Sequence, residues 1–201
     1  ARVVVDGVHL TPHATVDLAA IGCDVYSTSS YKWYGPHAGI TWIEPELLEQ
    51  LRAYKVRPAP PSGPGKLQLG TPAYESLAAI DAAARFLLDV GMEPLGAHEA
   101  ALFERLLHGL LADERITVYG PHDVGQRAPT LAFNVAGLTP EHVARELAAQ
   151  RIAVWDGDYY AVEVMASYGI VSAVRAGIAA YLTTDDVDRL LDGVISVASQ
   201  V

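Results

Sequence analysis

Two β-branched runs with a helical pattern between them constrain this chain more than any other feature. "RVVVDG" ends in Asp-Gly, the mark of a strand followed by a turn. "CDVYSTS" is a second such run, and "TVDLAAIG" between them has helix-like apolar spacing with Gly22 as its stop. "AGITWIE" reads as a third strand, and Pro45 suits the first turn of a short helix through "PELLEQL". Strand, helix, strand in alternation is the signature of an α/β layer. If the first two strands are neighbours and parallel, their C-terminal ends reach the same edge, where open α/β sheets bind ligands. Asp6 ends the first strand, and Lys32 follows the second.

Lys32 is unusual in its setting, "YSTSSYKWYGPH", where no acidic residue lies within four positions on either side. An acid, a lysine and a row of hydroxyls at one sheet edge suit a cofactor that forms a Schiff base and carries a phosphate. Pyridoxal phosphate is such a cofactor: a lysine forms the imine and a carboxylate pairs with the pyridinium nitrogen.

The rest of the chain alternates again. Residues 57–66, "RPAPPSGPGK", carry four prolines and two glycines, and predict an exposed loop. A helix is predicted from Tyr74 to Val90, broken at Gly91, with another through "EPLGAHEAALFERLLHGLLAD". "ITVYG", "TLAFNVAG", "IAVWDG" and "VRAGIAAYL" read as strands. "TPEHVARELAAQ" reads as a helix capped by Thr139. The last helix opens on "TTDD", where acids favour the positive end of the helix dipole. The expected fold is α/β, with residues 1–92 a large-domain segment and residues 93–201 a smaller α+β domain.

The chain has 201 residues and a net charge of −10. That balance argues against nucleic-acid or anionic-membrane partners, which need a basic footprint. Cys23 is the single cysteine, so neither an intramolecular disulfide nor a cysteine metal cluster can form. No apolar run reaches membrane-spanning length, and a cytoplasmic setting is expected. The abrupt start inside a strand, without an initiator Met, leads us to expect further chain upstream.

The order "VDGVH…PH…VDLAAIGCDVYSTSSYKWYGPHAGI", "LQLGTPAYESLAAI", "RIAVWDGDYYA", "VRAGIAAYLTTDDVDRLL" resembles the class V aminotransferases, in particular their cysteine desulfurase-like group. The resemblance covers essentially the whole chain. It implies the end of the pyridoxal-phosphate-binding large domain, an α/β/α sheet, followed by the small C-terminal domain. It further implies that Lys32 is the Schiff-base lysine and that Asp6 holds the pyridine nitrogen protonated. His9 would lie near the cofactor's phenolic oxygen, and Ser29 at its phosphate. Tyr31 stands where desulfurases have a phosphate-contacting histidine, and a phenol brings one donor without the charge. Thr71 matches the residue that reaches the partner subunit's phosphate, so a homodimer with shared active sites is implied. Arg175 matches the arginine that grips the substrate carboxylate.

The likeness departs from the desulfurase pattern at one position. Tyr160 stands where a desulfurase carries its nucleophilic cysteine, and a phenol cannot accept sulfur as a persulfide. Cys23 falls at a structural position. The expectation is therefore a pyridoxal-phosphate enzyme acting on an amino acid, by transamination, elimination or racemisation, and not a true cysteine desulfurase. Selenocysteine or cysteine lyase is the narrower alternative. A non-catalytic fragment that folds and dimerises without turnover is the other.

Overall fold

β1 (Val4–Asp6) and β2 (Val25–Ser29) pair in parallel, with Val4 opposite Val25 and Asp6 opposite Ser27. β3 (Gly39–Ile43) pairs antiparallel with β2, closing a three-stranded sheet in the order β1-β2-β3. The computed structural model describes residues 1–201, save the side chain of Gln126. The chain divides into two units, Ala1–Pro94 and Leu95–Val201, each with its own sheet.

A parallel pair needs a crossover, and residues 7–24 supply it. Within it lies α1 (Leu18–Ile21), where the Asp17 carboxylate accepts from the N–H groups of Ala19 and Ala20. Gly22 ends it at φ +67, a left-handed cap that suits glycine. The start of the crossover packs on a single ring. Thr11 Oγ1 donates to Gly7 O at 2.7 Å and lies 3.0 Å from Tyr26 Oη. Tyr26 itself is buried, and a Cβ on Gly7 would fall 2.0 Å from its Cζ.

α2 (Pro45–Gln50) begins at Pro45, with the Glu44 carboxylate accepting from Leu47 N–H. The proline-rich segment after it is mostly exposed and irregular, as its composition predicts, and departs from that only at its end. Pro64–Leu67 form a 3₁₀ turn, and Lys66 is buried. Its ammonium donates to Glu49 O at 3.2 Å, on the last turn of α2, and Gly63 N–H donates to Glu49 Oε1 at 2.8 Å. A cation at a helix C-terminus is favourable. α3 (Tyr74–Val90) then runs its predicted length and stops at Gly91, φ +87.

The second unit is built on α4 (Met92–Leu111), β4 (Ile116–Tyr119), β5 (Thr130–Val135), α5 (Pro140–Ala149), β6 (Trp155–Gly157), α6 (Val162–Ser167), β7 (Ala173–Gly177) and α7 (Thr184–Ala198). The sheet order is β4-β5-β7-β6, antiparallel throughout. Alternate residues Leu131, Phe133 and Val135 of β5 are buried, together with Ile116, Val118, Val174 and Ala176. They meet Phe103, Leu106 and Leu110 of α4, Val143 and Leu147 of α5, and Val194 and Val197 of α7. Thr183 and Asp186 form a reciprocal capping box at the start of α7. Thr139 caps α5 as predicted. α6 was not anticipated, since six residues are too few to display a helical period.

Gly7→Ala places its methyl inside the Tyr26 ring and should cost roughly 1–3 kcal/mol by overpacking. The urea midpoint of the variant is expected to fall, and one equal to wild type would show that the ring can move aside.

Candidate active site

The sequence Ser29–Lys32 changes direction where β2 ends. Ser30–Trp33 form a 3₁₀ turn, followed by Tyr34 in the left-handed region at φ 71. Ser30 holds the turn. Its side chain is fully buried, and Oγ lies 2.5 Å from Pro36 O and 3.1 Å from Ala38 O, donating its one proton between them. Its backbone N–H donates to Ala38 O, and its carbonyl accepts from Gly35 N–H. Trp33 is buried too, its indole N–H donating to Thr28 Oγ1 at 3.2 Å. Between these anchors Tyr31 and Lys32 point outward, both exposed.

The row of hydroxyls does not act as one group. Ser27 Oγ and Thr41 Oγ1 bond each other at 3.0 Å, Thr28 accepts from Trp33, and Ser30 serves the turn. Ser29, half-buried at the strand end, is the one of the four whose hydroxyl bonds nothing among the described residues. The expectation that all of them face a phosphate therefore narrows to Ser29.

Asp6 lies at the same edge. Its partner in the ladder is Ser27, and β2 continues two residues further to Ser29. Asp6 Oδ1 accepts from Val8 N–H at 3.0 Å, which orients the carboxylate and leaves Oδ2 facing outward from that bond. His9 follows on the same turn, exposed, its ring edge-on to His13 at 5.4 Å between centroids. Tyr31 stacks on His37 at 5.3 Å, and Lys32 Nζ lies 6.0 Å from the Tyr31 ring centre. No carboxylate pairs with Lys32 among the described residues. Asp6, His9, Ser29, Tyr31 and Lys32 are thus brought to one edge. Thr71 is not part of that group: it sits exposed in the loop before α3, its side chain without a bonded partner among the described residues.

Arg175 belongs to the second unit, midway along β7 and between Ala132 of β5 and Trp155 of β6. Residues directly opposite share a face, and this is the face away from the hydrophobic core. The guanidinium carbon lies 4.4 Å from the centre of the Tyr159 ring. Tyr159 Oη donates to Ala173 O at 2.6 Å and Trp155 O at 2.8 Å, sharing one proton. Burial pushes this phenol up to about 12 from an ordinary 10, against the opposing pull of the Arg175 charge. Tyr159 was missed in the sequence; its only signal was an aromatic pair in a turn. Tyr159 and Tyr160 both take left-handed conformations, φ 56 and 59, and Tyr160 is thrown fully into solvent. Cys23 is buried just before β2.

Residues 1–190 match the protein family described as aminotransferase class-V, whose members use pyridoxal phosphate. A cysteine desulfurase of Salmonella agona is 31% identical over 98% of this chain and 51% of its own length, and that of Salmonella typhimurium matches to the same extent. The chain spans about half the length of the curated relatives it matches. The apo cysteine desulfurase of Thermococcus onnurineus superposes with a TM-score of 0.94 at 25% identity, covering all of this chain and 53% of that one. The Escherichia coli desulfurase CsdA gives 0.87 at 27% identity, over 99% of this chain and 52% of its own. The names of these relatives lend no support to the expectation that this chain is other than a cysteine desulfurase.

The unfolded chain sheds the Tyr159 proton near pH 10, and the folded chain only near 12. The stability this phenol contributes is therefore full below pH 10 and is lost as pH rises toward 12. Tyr159→Phe lacks the group, so the gap between wild-type and variant urea midpoints should close over that interval. A gap constant with pH would show that the phenol titrates normally.

Proposed function

The chain belongs to the class V aminotransferase family, and from that premise we propose that it carries the lysine, the acid and the substrate-binding arginine of a pyridoxal-phosphate enzyme acting on an amino acid. One observation carries the reading. Asp6 and Lys32 leave the same end of two parallel strands, with the Ser29 hydroxyl beside them and unbonded.

The residues at that edge fit the cofactor. Lys32 has no carboxylate partner among the described residues, and an adjacent carboxylate would favour its ammonium form and oppose covalent attachment. Lys32 would tether the cofactor and then carry the proton at the substrate's α-carbon. Asp6, oriented by Val8 N–H, would keep a proton on the pyridine nitrogen. Ser29 and Tyr31 would donate to the phosphate. His9 would donate to the phenolic oxygen. Thr71 reaches the phosphate held by a second subunit, which makes the enzyme a homodimer. When bound, pyridoxal phosphate supplies an electron-withdrawing ring that stabilises negative charge at the α-carbon. Arg175 receives the substrate carboxylate through paired N–H donors.

A narrower reading is cleavage of the cysteine or selenocysteine side chain, and the relatives' names favour it for cysteine. Tyr160 qualifies it. A phenol oxygen forms no persulfide, and Cys23 is buried in the connection just before β2. Sulfur cleaved from a substrate would leave without lodging on residue 160.

With added pyridoxal phosphate the full-length protein should show a visible absorbance band. Borohydride should fix the cofactor to Lys32, and Lys32→Ala should lose both signals. A colourless protein, or one unchanged by Lys32→Ala, would overturn the reading. With L-cysteine as substrate, intact mass is expected to show no added sulfur on this chain; a persulfide on Cys23 would contradict the reading that cleaved sulfur leaves without lodging on the protein. Sedimentation of the full-length protein should give a dimer, and a monomer at all concentrations would remove Thr71 from the site.

A further inference from the structure

We propose that Tyr159 is a positioning residue for Arg175: its ring fixes the plane of the guanidinium so that both terminal N–H donors stay available to a substrate carboxylate. The proposal rests on the reading of Arg175 as the carboxylate holder and adds the part that makes it selective.

Three other arginines of the second unit show the contrast. Arg105 forms a two-pronged pair with Asp188, and Arg115 one with Asp113. Arg127 donates to the carbonyls of Pro121 and Thr130. Each gains its place by using its donors. Arg175 bonds no acceptor among the described residues and is held instead by the face of a ring 4.4 Å away. Stacking constrains a guanidinium plane without consuming N–H groups. A free arginine loses side-chain freedom when it binds, and one already stacked loses less.

The ring is itself tied at its hydroxyl end. Its hydroxyl is tied to Trp155 O, on the residue paired with Arg175, and to Ala173 O, two residues before Arg175 on the same strand. The backbone of Tyr159 takes a left-handed conformation that few side chains adopt. Asp158 Oδ1 accepts from Tyr160 N–H and pins the next residue. The turn after β6 is thus folded back so that its first tyrosine lies under Arg175. The second tyrosine, pointing into solvent, is not needed for that fold. If Tyr159 merely tied the turn, any effect of replacing it would fall on every ligand alike.

The test uses the full-length protein loaded with pyridoxal phosphate, following the cofactor's visible absorbance. Glycine carries an amine and a carboxylate; methylamine carries the amine alone. Arg175→Leu, which loses the paired donors, should weaken glycine by more than about tenfold, and Tyr159→Leu by about tenfold, the scale of a cation–π contact, with methylamine within about twofold of wild type in both. Tyr159→Phe keeps the ring and should retain glycine within about threefold. Should Tyr159→Leu fail to fold, Tyr159→Met makes the same comparison. Loss of glycine and methylamine together, or unchanged glycine binding in Tyr159→Leu, overturns the proposal while Arg175 keeps its role. Unchanged glycine binding in Arg175→Leu removes the role of Arg175 as well, and the proposal with it.

Discussion

Parallel pairing of β1 with β2 is the constraint on which the first unit depends. It puts Asp6 level with Ser27, so that the chain leaving each strand emerges on the same side. It also demands a crossover, and residues 7–24 make one with a single turn of helix. So short a connection must be fastened at its start, where Gly7 and Thr11 close over the Tyr26 ring. An antiparallel pairing of the same strands would send Asp6 and Lys32 to opposite ends of the sheet, and no side-chain chemistry could reunite them.

The second unit solves a different problem. Its antiparallel sheet buries one face against α4, α5 and α7, which leaves the alternate residues on the other face outside that core. Arg175 is one of these, and its backbone is bonded on both sides by β5 and β6. The strand sets where the arginine begins, and Tyr159 sets where it ends. Likeness to the cysteine desulfurases extends through this unit, and the turn after β6 carries Tyr159 and Tyr160 in left-handed conformations.

Much of this was legible in the residues because it is written in periodicity. The three β-branched runs and the helix from Tyr74 to Val90 stand where their spacing predicts, as do the Thr139 cap and the acid-rich start of α7. Asp6 and Lys32 could be singled out because each sits at a strand end in an atypical setting. What could not be read depends on side chains meeting across distance in the chain. Lys66 sits in a proline-rich run that looks like open loop, and only the fold brings it to the end of α2. Tyr159 resembles its neighbour Tyr160 until the turn sends one inward and one outward. α6 was too short to announce itself.

Ser29 and Ser30 are identical letters side by side, yet one closes a turn from within and the other faces outward with its hydroxyl open. Exchange of roles between them is not available, because the strand fixes which side each faces. A single inserted or deleted residue in "STSSYK" would put the outward serine in the buried seat and carry the lysine a third of a turn away. The run therefore tolerates replacement at positions such as 31 far better than it tolerates a change of length. When relatives are aligned here, a gap placed one residue off would equate a buried, turn-closing serine with one whose hydroxyl is open.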